Sequence, residues 1–175
     1  MVGWFDEMRV GLRGMVRRVW APRGVKVRQK LQLIYKWRYL SLAADVLSGR
    51  IFWAWTETTR GEELLEVIGG LVEASDFRAL VWDQAPGHKL ARSYDTGLHL
   101  VEQPAYSPEL NPVERVFEEL RRKIEGKVYE SLEEKVQAVE AELEKLDSDP
   151  ERVRRLTNWS WIRQSIESLP QPITP

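Results

Sequence analysis

An α/β layered domain, a mixed sheet flanked by helices, is the fold class this sequence predicts. Three observations lead there. Short runs rich in β-branched and aromatic residues recur at 4–10, 51–55, 77–82 and 98–101. Apolar residues at helical spacing follow capping signals at Thr59 and Ser131. Strands come first and helices gather at the end, an order suited to one sheet covered by helices.

Residues 4–10 read as the first strand, and 11–24, with three glycines and a proline among arginines, as an irregular loop or loose hairpin. Over 25–39 the odd positions hold Val25, Val27, Leu31, Leu33, Tyr35, Trp37 and Tyr39, while Lys26, Arg28, Lys30, Lys36 and Arg38 sit on even ones. Period two of this kind predicts a half-buried strand with one basic face. Ser48-Gly49 then turns into a third strand at 51–55, giving an antiparallel hairpin. Thr59-Arg60-Gly61-Glu62 is a capping box opening a helix with Leu64, Leu65, Ile68, Leu71 and Val72 on its apolar side. A short buried strand at 77–82 ends on Asp83, followed by a short helix at 88–94 and a strand at 98–101.

Asn111 is a good N-cap, and Pro112 suits the first position of a helix that runs to about residue 124. Ser131-Leu132-Glu133-Glu134 is a second capping box, and Leu132, Val136, Val139, Leu143 and Leu146 form one stripe behind it. After Ser148-Asp149-Pro150 a last helix is expected through Trp159 and Ile166, with the Pro-rich end from Pro170 frayed.

The 175-residue chain is long enough for one domain with a real core and too short for a second full one. It has no cysteine, which removes disulfides and thiolate metal sites and fits a reducing compartment. No apolar run is long enough to span a membrane, and no signal-peptide pattern opens the chain. The eight tryptophans are expected mostly as core or interface anchors. A net charge of −1 hides strong segregation: ten basic residues and no acid lie between Arg9 and Ala44. Such a block suggests a polyanionic partner, although a solubilising face paired with acids elsewhere has the same composition.

Three carboxylates lie at the edges of apolar elements: Asp6 in the first strand, Asp83 at the end of a buried one, and Glu114 in the first turn after Asn111. Phosphodiester chemistry needs an activated oxygen nucleophile and a stabilised leaving oxygen. Two divalent cations meet both needs, and hard cations such as Mg²⁺ require only a few carboxylates on rigid elements. Each acid also has a plain structural account. Asp6 could be the exposed member of an alternating strand, with Glu7 on the other face. Asp83 could cap the turn at 84–87, and Glu114 could complement the helix dipole. Glu118, one turn after Glu114, is the alternative ligand.

Asp83-Gln84-Ala85-Pro86-Gly87-His88 and Pro104-Ala105-Tyr106-Ser107-Pro108-Glu109-Leu110-Asn111-Pro112-Val113-Glu114 closely resemble the signature of DDE transposases of the mariner superfamily, in its bacterial and archaeal insertion-sequence branch. Phe5-Asp6-Glu7 resembles that family's first acidic motif, and Trp20-Ala21-Pro22-Arg23-Gly24 its Trp-Ala-Pro-x-Gly element. The resemblance spans roughly residues 3–123, with Asp83 and Glu114 a few residues closer together than the family usually has them.

It implies a ribonuclease-H-like core at 1–126 with a five-stranded mixed sheet, a C-terminal helical extension at 127–170 and a frayed tail at 171–175. It implies a catalytic and metal-binding triad of Asp6, Asp83 and Glu114 holding two Mg²⁺, with Mn²⁺ as a substitute, and supporting roles for His88 and Asn111. The implied activity is cleavage of DNA at transposon ends and strand transfer into target DNA. Arg13, Arg17, Arg18, Arg23, Lys26, Arg28, Lys30, Lys36 and Arg38 are the expected phosphate contacts. A homodimer on DNA, a separate helix-turn-helix protein or reading frame, and a cytoplasmic, nucleoid-associated prokaryotic setting complete the expectation. A stand-alone nuclease of the same fold and a catalytically silent, decayed DNA-binding remnant are the alternatives.

Overall fold

The structure, a computed structural model, describes residues 1–14 and 20–167. Arg17, Arg18 and the expected tail at 171–175 lie outside the described residues. Strands β1 (Val2–Gly11), β2 (Trp37–Ala44), β3 (Ile51–Thr56), β4 (Ala79–Trp82) and β5 (His99–Glu102) form one five-stranded sheet in the order β3-β2-β1-β4-β5. β2 pairs antiparallel with β1 and β3, while β4 pairs parallel with β1 and β5. The predicted mixed α/β sheet is therefore present. Its central strand β1 alternates between two apolar layers: Trp4, Met8 and Val10 face one, and Phe5 faces the other.

Helices α1 (Glu62–Ala74) and α2 (Lys89–Ser93) cover the Phe5 face, burying Leu64, Val67, Ile68, Leu71 and Ala91 against Phe77, Leu80 and Trp82. The other face carries α3 (Val113–Ile124), α4 (Leu132–Asp147), α5 (Pro150–Thr157) and α6 (Ser160–Glu167). Ser131 caps α4 as expected, its Oγ accepting from the Glu134 N–H at 3.1 Å. Lys135 breaks the predicted apolar stripe yet is buried. Its Nζ donates to the Gly11 carbonyl at 2.8 Å and to Glu125 at 3.0 Å, satisfying a charge that would otherwise be costly there. The single last helix of the sequence reading is two helices. Asn158 leaves the helical conformation (φ −82°, ψ 73°), so the chain turns before α6. Among the described residues no helix is long and apolar enough to cross a membrane.

Two local expectations fail. The alternating segment at 25–39 is a strand only from Trp37 onward. Residues 25–36 have no regular structure, and Val25, Val27, Leu33 and Tyr35 are exposed. Two backbone bonds, Leu12 N–H to Lys36 O and Gly14 N–H to Gln32 O, extend the β1–β2 ladder before it ends. The true β2 sits centrally in the sheet with helices on both faces, so Leu40, Ser41, Leu42, Ala43 and Ala44 are all buried and no alternation marks it. The predicted capping box at Thr59 does not form either. Gly61 (φ 68°) precedes α1, and Glu63 reaches back to the N–H groups of Glu57 and Thr58 at 2.7 and 3.2 Å. Of the tryptophans, Trp4 and Trp82 are buried, whereas Trp20, Trp37 and Trp161 are exposed.

The β2–β3 turn explains Ser48-Gly49. Buried Asp45 accepts from the Leu47 N–H at 3.1 Å and from the Ser48 hydroxyl at 2.6 Å, which closes the turn. Gly49 has φ 78°, and a Cβ there would stand 2.1 Å from the Pro150 carbonyl oxygen at the start of α5. Gly49→Ala is expected to cost about 2 kcal/mol or more, from strain plus backbone collision. Urea denaturation measures it, and a variant as stable as wild type would refute this account of the turn.

Candidate active site

The β1–β4 pairing brings the first two acids level. Val2, Gly3 and Trp4 stand opposite Ala79, Leu80 and Val81, and the same offset carried two residues further sets Asp6 beside Asp83. Asp83 follows the last residue of β4, where the chain leaves the sheet. The third acid is fixed by Asn111, buried just ahead of α3. Its Nδ2 donates to the Phe5 carbonyl at 3.1 Å and to Asp6 Oδ2 at 3.3 Å, while its Oδ1 accepts from the Val113 N–H at 3.1 Å. One amide thus ties the start of α3 to β1 at Asp6, and Glu114 lies in the first turn that follows.

Asp6, Asp83 and Glu114 line one cleft of about 460 Å³, together with Gln84, Gln103, Asn111 and the loop from Pro104 to Pro108. Tyr106 on that loop is fully exposed with φ 58°, an uncommon conformation for a residue with a side chain. Burial raises the Asp6 carboxyl from its ordinary 3.8 to about 7; a hydrogen bond from the Glu7 N–H opposes this, and the charges of Glu7, Glu114 and Asp83 add to it. As placed, each acid is engaged by a protein group: Asp6 by the Glu7 N–H at 2.8 Å, Asp83 by the Ala85 N–H at 2.9 Å, and Glu114 by Arg121 at 3.4 Å. Accordingly, among the described residues no three of His, Asp and Glu already stand grouped as metal ligands. The donor set itself fits a hard divalent cation. It is all carboxylate, its like charges are held against repulsion, and neither histidine lines the cleft.

His88 is buried behind Asp83 rather than exposed to a phosphate. Its Nε2 stands 2.9 Å from Glu7 Oε1, and its Nδ1 is 3.2 Å from both the Asp83 carbonyl and Oδ1. Burial works against a charge on the ring, but the hydrogen bond and charge of Glu7, with Asp83 behind them, raise its pKa above the ordinary value. Trp82 stacks on the imidazole at 4.5 Å between centroids. Glu7 was missed by the sequence reading except as the opposite-face neighbour of Asp6. Glu118 does not line the cleft; it is exposed and paired with Arg115 at 2.8 Å.

The basic residues fall into two groups. Arg23, Lys26, Arg28, Lys30 and Lys36 are exposed along the irregular segment. Arg13 stacks over Tyr35 at 5.2 Å, and Arg38 pairs with Glu57 at 3.0 Å, so part of the block is engaged within the fold.

The sequence model of the family described as DDE superfamily endonuclease matches residues 1–135. No curated protein matches the chain by sequence. Among solved structures, the Mos1 transposase paired-end complex with the left transposon end aligns with a TM-score of 0.64 at 17% identity, covering 90% of this chain and 51% of that one. The Mos1 mariner paired-end complex with Mn aligns with a TM-score of 0.68 at 16% identity over 90% and 51%. The corresponding complex with Mg gives 0.60 at 17% identity over 90% and 51%. The chain spans about half the length of these relatives. At such identities the likeness speaks to fold, and it agrees with the ribonuclease-H-like expectation.

The perturbed Asp6 makes stability depend on pH. Between pH 4 and about 7 the folded state keeps a proton that the unfolded chain, with its carboxyl near 3.8, has lost. Stability therefore falls as pH rises through that window, by up to about 1.4 kcal/mol per pH unit from this group. In chelator, Asp6→Asn should be more stable than wild type at pH 8, with the gap narrowing as pH falls to 4. Urea melts across that range check this, and a gap independent of pH would contradict it.

Proposed function

This chain belongs to the DDE superfamily endonucleases, and on that footing we propose that it is a transposase catalytic domain, cutting DNA at transposon ends and joining the freed ends to target DNA. The observation that carries the reading is the convergence of Asp6, Asp83 and Glu114 on a single cleft at the edge of the sheet. Residues 1–126 form the catalytic core in this reading, with 127–170 as its helical extension. The motifs favour the bacterial and archaeal insertion-sequence branch, and with it a nucleoid-associated setting.

Asp6, Asp83 and Glu114 are the residues that would hold two divalent cations, Mg²⁺ or Mn²⁺. Bound there, such ions supply the positive charge that an attacking oxygen and a departing oxygen need at a phosphodiester. The protein's own part is geometric. β1 carries one carboxylate, the residue after β4 a second lining the same cleft, and Asn111 fixes the helix that carries the third. The loop at 104–108 forms the wall against which a nucleotide strand would lie. Glu118 is set aside as ligand because it faces Arg115 outside the cleft.

Exposed Arg23, Lys26, Arg28, Lys30 and Lys36, with Arg13 and Arg38 beside them, would meet phosphates without reading sequence. Specific end recognition then falls to a helix-turn-helix segment or partner, and two copies would pair on the two DNA ends.

Asp6→Asn, Asp83→Asn and Glu114→Gln are each expected to lower cleavage by more than about 100-fold, beyond the range seen for residues that merely support ligands. Glu118→Gln should stay close to wild type. Cleavage of labelled transposon-end DNA measures both, and full activity in any triad variant removes that residue from the site. Precleaved ends should yield joined product; cutting without joining would identify a stand-alone nuclease instead. With about six phosphate contacts, DNA affinity should fall about 10³-fold between roughly 50 and 200 mM salt. Fluorescence anisotropy reads this, and a flat salt dependence would exclude the electrostatic role of the basic segment.

A further inference from the structure

We propose that Glu7, acting through His88, is a positioning residue for Asp83. The inference rests on the reading of Asp6, Asp83 and Glu114 as cation ligands and adds a part that the ligand set does not contain. Adjacent residues of a strand point to opposite faces. Asp6 therefore faces the cleft beside α3, and Glu7 points into the layer beneath α1 and α2, where Phe5, Leu80, Trp82 and Ala91 pack. A carboxylate on that side is expensive unless it is paired, and an apolar residue would serve the core better. Glu7 is nonetheless there, its side chain only 9% exposed, with His88 (1% exposed) as the partner of its Oε1 at 2.9 Å.

The far side of the ring shows what the pair accomplishes. His88 Nδ1 sits 3.2 Å from the Asp83 carbonyl oxygen and equally far from Asp83 Oδ1. Trp82 lies flat against the imidazole, with 10° between the planes, and Phe5 meets it edge-on at 6.4 Å. Both ring nitrogens and one ring face are thus committed, and the ring cannot turn without losing both polar contacts. Asp83 needs this support. It lies past the end of β4 with half its side chain exposed, and Ala85 N–H is the other group that holds its Oδ1. Both contacts fall on Oδ1, which leaves Oδ2 free for a cation. β1 accordingly supplies one ligand from its cleft face and, from the opposite face, the strut that aims the ligand just beyond the neighbouring strand. Groups of this kind behind a metal ligand typically change affinity 10–100-fold when removed.

The test is Mn²⁺ binding by the full chain without DNA, read from the electron paramagnetic resonance signal of free Mn²⁺. Wild type and Asp83→Asn come first; equal binding by these two would defeat the cleft reading itself, before Glu7 enters. Given a difference there, the double variant Glu7→Leu/His88→Leu replaces a buried pair by apolar side chains and should fold at least as stably as wild type. It is expected to bind Mn²⁺ about 10–100-fold more weakly. His88→Gln, which can still meet Glu7 but cannot span to Asp83, should show a similar loss. Glu7→Gln, which keeps an oxygen acceptor at the same reach, should recover most of the affinity. A folded double variant or His88→Gln protein that binds Mn²⁺ as tightly as wild type would reduce the pair to core packing and overturn the proposal.

Discussion

Negative charges repel, and the fold nonetheless brings Asp6, Asp83 and Glu114 to the lining of one cleft. No carboxylate can stay beside two others on a chain free to move apart. Here the first lies on the central strand, the second just past the end of its parallel neighbour, and the third on a helix clamped to that central strand by a buried amide. The sheet is covered on both faces, so the strands cannot separate without exposing two apolar layers. Burial is the main reason the Asp6 carboxyl is raised, and the charges of Glu7, Glu114 and Asp83 add smaller shares.

The two faces of β1 divide the work. On the cleft side Asn111 satisfies the Phe5 carbonyl, touches Asp6 and starts α3, so one residue couples chain direction to the placement of two acids. On the core side the Glu7–His88 pair sits within an apolar cluster of Phe5, Leu80, Trp82 and Ala91. A polar pair enclosed in such surroundings is rigid, because each alternative arrangement leaves a buried group without a partner. The segment at 25–36 is the counterpart: its cations are exposed and its apolar side chains largely unburied, and it is tied back to the fold at Gln32 and Lys36.

Legibility in the sequence followed burial geometry. β1, β3 and β4 could be read because short β-branched and aromatic runs bounded by turn residues have few other uses, and α3 and α4 because Asn111, Pro112 and Ser131 announce their first turns. The cleft acids were legible through the motifs around them, since each taken alone also had a plain structural account. The alternation at 25–39 misled because period two reports a strand with one wet face, whereas β2 has none and the alternating residues mostly lie outside the sheet. His88 was expected in a supporting role, but its pairing with Glu7 escaped because 81 residues separate them, and no local pattern records a pair made by the sheet's own closure. At the start of α1 the side chain that engages the backbone is Glu63, which reaches back to the Glu57 and Thr58 N–H groups, so the Thr59 pattern found no cap to form.

The family's recognisable sequence stops at residue 135, within α4, but the architecture continues. Val139, Leu143, Leu146, Val153 and Ile162, all beyond that point, belong to the same apolar cluster as Trp4 and Met8 of β1. A gene fragment trimmed at that point would keep α3 on this face of the sheet but lose most of α4 and all of α5 and α6, baring the part of the layer they cover. The border by which this chain is classified is thus narrower than the border within which its chemistry has a floor to stand on.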